Sequence, residues 1–302
     1  MTVGVVLMAY GTPRTPADIE AYYTDIRRGR APSAEQLADL TRRYEAIGGT
    51  SPLARRTEGQ RGALQTELDR RAAGQFRVEL GYKHAAPSIE AAVETLTASG
   101  IERLVGLVLA PHYSALSVGE YLGRAAATAA RVGMPFAGIE SWATEPALVV
   151  FFGDQVRRRL AGMPSNTKVL FTAHSLPARI LADGDPYPAE VRSTATAVGD
   201  AIGLAQWSQW SVAWQSAGRT PEPWIGPDIL TVIDELAGSE HADGLLVCPC
   251  GFVADHLEVL YDLDIEARQR AESNGLVFAR TPAVNDDRTV FAGLAERVLA
   301  TG

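Results

Sequence analysis

Short apolar runs recur along this chain, and the stretches between them are too long for hairpin turns. Val3–Ala9, Arg77–Tyr82, Leu104–Ala110 and Pro135–Ser141 read as strands in the first half. Lys168–Ala173, Gln209–Trp214, Gly244–Cys248 and Leu276–Ala279 do so in the second. The intervening segments carry helical signals. One helix is expected over Pro16–Arg28, with Thr15 as N-cap and Gly29 as stop. A second is expected over Ala34–Ile47, behind a Ser33/Gln36 capping box and ahead of Gly48–Gly49. Such a strand–helix alternation predicts mostly parallel sheets covered by helices on both faces.

The two halves echo each other. VGVVLMAYGTP, from Val3, is similar to KVLFTAHSLP, from Lys168. LVGLVLAPHYSALS, from Leu104, is similar to DGLLVCPCGFVADH, from Asp243. The expected architecture is therefore α/β: two similar doubly wound, Rossmann-like lobes, each on a parallel four-stranded sheet, with a cleft between them. The lobes are assigned to residues 1–142 and 143–302. Ligands of such folds bind beyond the carboxyl ends of the strands. The echo places Tyr10 and His174 at equivalent strand ends.

Composition narrows the function. The formal net charge is −8, which argues against a general nucleic-acid binder, since a phosphate backbone calls for a cationic surface. Two cysteines cannot supply a four-thiolate iron–sulfur site or a disulfide framework. No apolar run is long enough to span a membrane, and MTVGVVLMAYG reads as a buried strand instead of a signal peptide. A soluble cytoplasmic protein is expected.

His174, in F-T-A-H-S-L-P, follows an apolar strand and precedes a proline turn. There an imidazole can accept a proton or bind a divalent metal, or it can be a hydrogen-bonded turn residue. In GFVADHLEVLYDLDIE, from Gly251, a continuous helix would set Glu258, Asp262 and Glu266 four apart as one acidic stripe with Asp255 beside it. Hard oxygen donors suit a hydrated divalent cation, although a solvated helix face has the same pattern. Only Arg270 is spaced to relieve the stripe, at its Glu266 end. Arg27, Arg28, Arg30, Arg42 and Arg43 gather in the first half, where they suit a polyanionic ligand or simply favour helix C-termini. Ser51 and Tyr121 offer hydroxyls. Met8, Tyr22, Tyr23 and Tyr44 read as core or as the lining of an apolar slot. Cys248 and Cys250 read as small buried residues. Among the other histidines His112 ranks after His174, while His84, His241 and His256 read as structural or exposed.

The motifs LMAYGTP, YYTDIRRGR, RRYEAIGGTSPLARRTE, GYKHAAPSIE, VLAPHYSALSVGEY, FTAHSLP, GDPYP, WQSAGRTPEPWIGPD and GFVADHLEVLYDLD, in this order, resemble those of ferrochelatases. The resemblance covers nearly the whole chain and is closest to the soluble, monomeric coproporphyrin type of Gram-positive and related bacteria. It implies that His174 and Glu258 handle ferrous iron and the pyrrole protons. It implies that Tyr10 can ligate iron from the opposite face of the macrocycle. Arg27, Arg43, Tyr44, Ser51 and Tyr121 would contact the porphyrin and its propionates, and Asp262 and Glu266 an outer divalent cation. Many related enzymes hold a 2Fe–2S cluster on four cysteines; this chain departs from them with Cys248 and Cys250 alone, so no cluster and no prosthetic group are expected, ferrous iron being a substrate.

Coproporphyrin III is the expected porphyrin, protoporphyrin IX the alternative, and a coproheme decarboxylase a transient partner. Neither stable membrane association nor nucleic-acid binding is expected. Three other classes were open. A non-catalytic haem or iron carrier would need no proton-accepting pair. A cobalt or nickel chelatase would use paired histidines. A dinucleotide-binding oxidoreductase would show G-x-G-x-x-G after the first strand, and none is present.

Overall fold

The computed structural model describes residues 2–206, 208–218, 220–239 and 242–302. It contains two four-stranded sheets, every strand parallel to its neighbours. The first is built from β1 (Val3–Ala9), β2 (Phe76–Tyr82), β3 (Arg103–Val108) and β4 (Phe136–Ile139), in the order β2-β1-β3-β4. The second is built from β5 (Thr167–His174), β6 (Trp210–Gln215), β7 (Gly244–Cys248) and β8 (Val277–Arg280), in the order β6-β5-β7-β8. The strand orders are the same, as the echo between the halves predicts.

β1 is buried along its whole length. Val6 and Met8 face a core shared with helices Ile89–Thr97 and Val118–Arg131, through residues such as Val93, Leu96, Leu122 and Ala125. Because strand side chains alternate, Val5 and Leu7 point to the other face, and they are equally inaccessible. Covering both faces leaves no polar alternation, hence the continuous apolar reading of VGVVLMA. The second sheet repeats this plan. Leu170, Leu245 and Val247 meet Ile229, Ile233, Val259 and Leu263, while Val169 and Phe171 are buried on the reverse face.

Local signals act as expected at the second helix. The Gln36 N–H donates to Ser33 Oγ at 3.2 Å, and Gln36 Oε1 accepts the Ser33 N–H at 3.0 Å. The expected Pro16–Arg28 helix is instead a tight turn at Pro16–Asp18 followed by a helix over Ile19–Ile26. It ends early because Arg28 and Gly29 take left-handed φ values of 57° and 82°.

The structure divides the chain differently from the 1–142 and 143–302 assignment. One compact unit contains Met1–Trp142, Ala254–Leu257 and Asn285–Gly302; the other contains Ala143–Val253 and Glu258–Val284. The C-terminal helix Arg288–Thr301 returns to the first unit and packs on helix Leu53–Arg71. There the buried Glu67 carboxylate accepts from Arg71 at 2.7 Å and from Arg288 at 3.0 Å. Asp255 belongs to this unit too. Asn285 donates to it at 2.9 Å and Arg56 lies 3.5 Å away, so it is not part of an acidic stripe.

The continuous acidic helix is also corrected. A four-residue helix, Leu257–Leu260, gives way to a π-helix over Asp262–Ala267 and then to an α-helix over Arg268–Ser273. The Glu266 N–H reaches back five residues to the Tyr261 carbonyl at 3.0 Å. With the wider turn Asp262 is buried and accepts the Ser216 hydroxyl at 2.5 Å, and Asp264 pairs with Arg280 at 2.8 Å. Arg270 turns to Asp234 at 2.5 Å, so it is not the partner expected for Glu266.

Candidate active site

In the second unit, β5 ends in His174. The Tyr187 hydroxyl donates to the His174 backbone carbonyl at 2.9 Å, which fixes the chain at that point. Imidazole Nδ1 bonds the Ser175 carbonyl. A carbonyl only accepts, so Nδ1 carries a proton and Nε2 is the nitrogen left for chemistry. Glu258 Oε1 lies 3.5 Å from that Nε2, and the two side chains keep 34% and 35% of their surface exposed.

An imidazole lone pair facing a carboxylate is unfavourable until a proton or a metal cation comes between them. The His174 pKa follows this logic. Burial opposes the charged ring. The charge of Glu258, its hydrogen bond, the Ser175 carbonyl and the charge of Asp262 together outweigh burial, and the value is raised.

The segment that delivers Glu258 passes tightly against β5. Gly251 donates its N–H to the Thr172 carbonyl at 3.0 Å, and Ala173 leaves no room for a Cβ at Gly251. Behind His174, Ser175 Oγ donates to the Ile225 carbonyl at 2.7 Å and the Ile225 N–H to the Leu176 carbonyl at 2.9 Å. This stitching sets the Trp224 ring 6.4 Å from the imidazole, centroid to centroid. Trp224 and Ile225 therefore stand beside His174.

The first unit places Tyr10 directly after β1, with 42% of its surface exposed. Its ring sits 4.7 Å from that of His84, tilted by 59°, and the His84 N–H donates to the Tyr10 carbonyl at 2.9 Å. His84 Nδ1 and Asp25 Oδ2 are 2.6 Å apart. The His84 pKa is lowered, because burial and the neighbouring Lys83 charge outweigh the Asp25 hydrogen bond and charge.

The remaining candidates in this unit have protein partners of their own. Arg43 lies 3.4 Å from Asp39, which also pairs with Arg42 at 2.7 Å, so one carboxylate offsets part of the cationic patch. Arg27 rests over the Tyr23 ring at 5.6 Å. Ser51 Oγ accepts the Leu53 N–H at 3.2 Å, at the start of a helix. Tyr44 is buried with its hydroxyl 3.4 Å from Thr12, and Tyr121 is buried beneath the Lys83 ammonium at 5.4 Å.

Among the described residues no three His, Cys, Asp or Glu side chains converge as a metal ion would require. His174 and Glu258 form a pair, but Asp262 and Glu266 do not join them in one donor set. Cys248 and Cys250 are fully buried, and burial pushes the Cys248 thiol up to about 12 and Cys250 well above its ordinary value, so both are inert. His112 is buried as well, and His241 lies outside the described residues.

Two arrangements went unread in the sequence. The Asp25–His84 contact joins the helix Ile19–Ile26 to the loop after β2, with no shared sequence pattern. Gln215 had a usable signal: it ends an apolar strand with a polar residue, the rule that singled out Tyr10 and His174.

A family description of ferrochelatases matches residues 2–301. The chain belongs to the ferrochelatase family. It is 44% identical over 303 residues to the coproporphyrin III ferrochelatase of Anoxybacillus flavithermus, covering 98% of this chain and 95% of the relative. It is 44% identical over 287 residues to the enzyme of the same name from Halalkalibacterium halodurans, covering 94% and 92%. This ferrochelatase is accordingly an enzyme, a metal chelatase of the lyase class.

Solved structures agree on the fold. SirB from Bacillus subtilis with Fe3+ superposes with a TM-score of 0.62 at 12% identity, over 100% of this chain and 96% of that one. CbiX, the terminal enzyme of siroheme biosynthesis in denitrifying bacteria, gives 0.56 at 14% identity over the whole of both chains. At these identities the likeness concerns the two-lobe architecture alone.

Proposed function

We propose that this ferrochelatase inserts ferrous iron into coproporphyrin III, releasing two protons: Fe2+ + porphyrin → iron porphyrin + 2 H+. What carries the reading to particular residues is the His174 Nε2 to Glu258 Oε1 approach of 3.5 Å at a strand end. Iron must shed water, and the pyrrole nitrogens must shed protons. A neutral Nε2 and a carboxylate beside it can replace water on the ion and then take up protons. Tyr10, exposed after β1, is the candidate for a ligand from the other face of the ring. A site that binds a bent macrocycle better than a flat one would lower the remaining barrier.

Coproporphyrin carries four carboxylates and protoporphyrin two. The names of the 44%-identical relatives support the former, as do Arg27 and Arg43 as propionate partners. Among the described residues no helix is long and apolar enough to cross a membrane. A cytoplasmic monomer that hands its product to a coproheme decarboxylase completes the proposal.

The test is anaerobic insertion by wild type and His174→Ala. The variant is expected to bind porphyrin, by fluorescence quenching, and to lose insertion; insertion at the wild-type rate would remove His174 from the mechanism. Catalytic efficiency on the two porphyrins decides the substrate, and a preference for protoporphyrin would overturn the choice.

A further inference from the structure

The His174–Glu258 pair is built from two elements, and only one is held by a sheet. Glu258 sits in a helix of four residues, Leu257–Leu260, which is too short to be stable by itself. Something outside it must set where its carboxylate points.

The end of β6 supplies that hold. Gln215 is the register partner of His174 in the β5–β6 ladder, and its carbonyl accepts the Ser175 N–H at 2.8 Å. Its side-chain amide donates to the Glu258 backbone carbonyl at 3.0 Å. One residue thus grips the strand that ends in His174 and the helix that carries Glu258. Ser216 repeats the connection, donating to Asp262 at 2.5 Å.

The arrangement is costly. Gln215 is 1% exposed, and its Oε1 has no hydrogen-bond partner among the described residues. A buried amide oxygen left unpaired loses its hydration without compensation. Ser216 adds a φ of 60°, in the left-handed region that side chains disfavour. For packing alone an apolar side chain of the same length would do better. Local cost concentrated beside reactive groups points to a function the cost serves.

We infer that Gln215 is a positioning residue: its amide N–H tethers the Glu258 backbone so that the carboxylate meets His174 Nε2. The inference rests on the proposed function, in which that pair receives iron. Gln215→Met keeps the length and removes the donor. In the full-length enzyme it should leave porphyrin affinity unchanged and the melting temperature equal or higher. Zn2+ affinity, measured by calorimetry without porphyrin, should fall by about tenfold or more, with a matching rise in KM for iron. Gln215→Asn, an amide too short to reach, should weaken Zn2+ in the same way and guards against misfolding of the first variant.

Zn2+ affinity and iron KM within twofold of wild type in a folded variant would overturn the inference. So would parallel losses of melting temperature and porphyrin binding, which mark a merely structural side chain. If wild type itself binds porphyrin but inserts no iron, the functional reading fails, a distinct outcome.

Discussion

In the first unit β1 is flanked by β2 and β3 and hands the chain to Tyr10; in the second, β5 is flanked by β6 and β7 and ends in His174. The two places are topologically the same, and each has an imidazole beside a carboxylate. His84 pairs with Asp25 at 2.6 Å, His174 with Glu258 at 3.5 Å. The closer pair has the lowered histidine pKa and the looser pair the raised one. Distance is therefore not what decides. Asp25 is 61% exposed, so water screens its charge, and Lys83 adds an opposing positive charge to His84. Glu258 is less exposed, and the Ser175 carbonyl and Asp262 add to it. Identical strand ends acquire different chemistry from the number of acceptors and their access to solvent.

The sharpest way to break this comparison is to remove each carboxylate in turn. Glu258→Gln should lower kcat/KM for iron insertion by roughly 10²–10⁴, the range for losing a proton acceptor. Asp25→Asn should change it by only about twofold, as for an exposed side chain. Anaerobic steady-state assays with porphyrin held saturating check both. A large effect of Asp25→Asn would mean that the first unit's imidazole takes part in the chemistry.

The acid limb of the pH–rate profile comes next. Nε2 of His174 offers a lone pair only when the ring is neutral, so insertion should fall as pH drops through its folded pKa. That pKa is raised, which puts the loss above the ordinary histidine value of about 6.5. The Glu258 charge is the largest influence raising that pKa. The slow residual insertion of Glu258→Gln should therefore show its acid inflection at lower pH, since the main raising charge is gone. An unmoved inflection would assign the limb to another group.

Why the strand ends were legible and their surroundings were not has a physical reason. A buried parallel strand needs continuous apolar sequence, so VGVVLMA and VLFTA announce themselves, and whatever polar residue follows is placed by default. The α/β class, the four-stranded sheets and the equivalence of Tyr10 and His174 follow from that rule. The π-helix over Asp262–Ala267 does not, because an added residue per turn leaves hydrophobic spacing almost unchanged and is selected by remote partners, Ser216 and Arg280. Helix Arg288–Thr301 reads as amphipathic wherever it packs; the partners it meets in the first unit, Glu67 among them, lie far away in sequence. Gln215 stands at a strand end that the apolar run marks, but the group its amide reaches, the Glu258 backbone carbonyl, has no sequence signature.

Stability should separate His112 and His174 by sign. His112, beyond β3, is 2% exposed, and burial drives its folded pKa down to about 3. The unfolded chain takes up that proton near pH ~6.5, so the folded state's advantage is complete above that value and declines as pH falls toward 3, by at most ~1.4 kcal/mol per unit. His174 has the opposite sign: its raised folded pKa stabilises at low pH, and the contribution disappears as pH rises through that pKa. Urea unfolding at several pH values between about 4 and 7 should show a shallower slope for His112→Phe than for wild type. An equal slope would mean that His112 finds compensation for its charge.

The smallest effect is expected at Tyr10. Its ring is held by packing against His84 and by the chain itself, through the His84 N–H to Tyr10 carbonyl bond. Tyr10→Phe keeps both and removes only the hydroxyl. If proton acceptance belongs to the second unit, kcat should fall less than about tenfold, under ~1.4 kcal/mol of barrier. The phenol's contribution would then show in the product: coproheme bound to the variant should lose the absorption signature of phenolate ligation and dissociate faster. A loss as large as that of Glu258→Gln would make the two strand ends equal partners in insertion. A variant identical to wild type in rate, spectrum and product release would leave Tyr10 as an exposed aromatic that the topology, and not the chemistry, put at the end of β1.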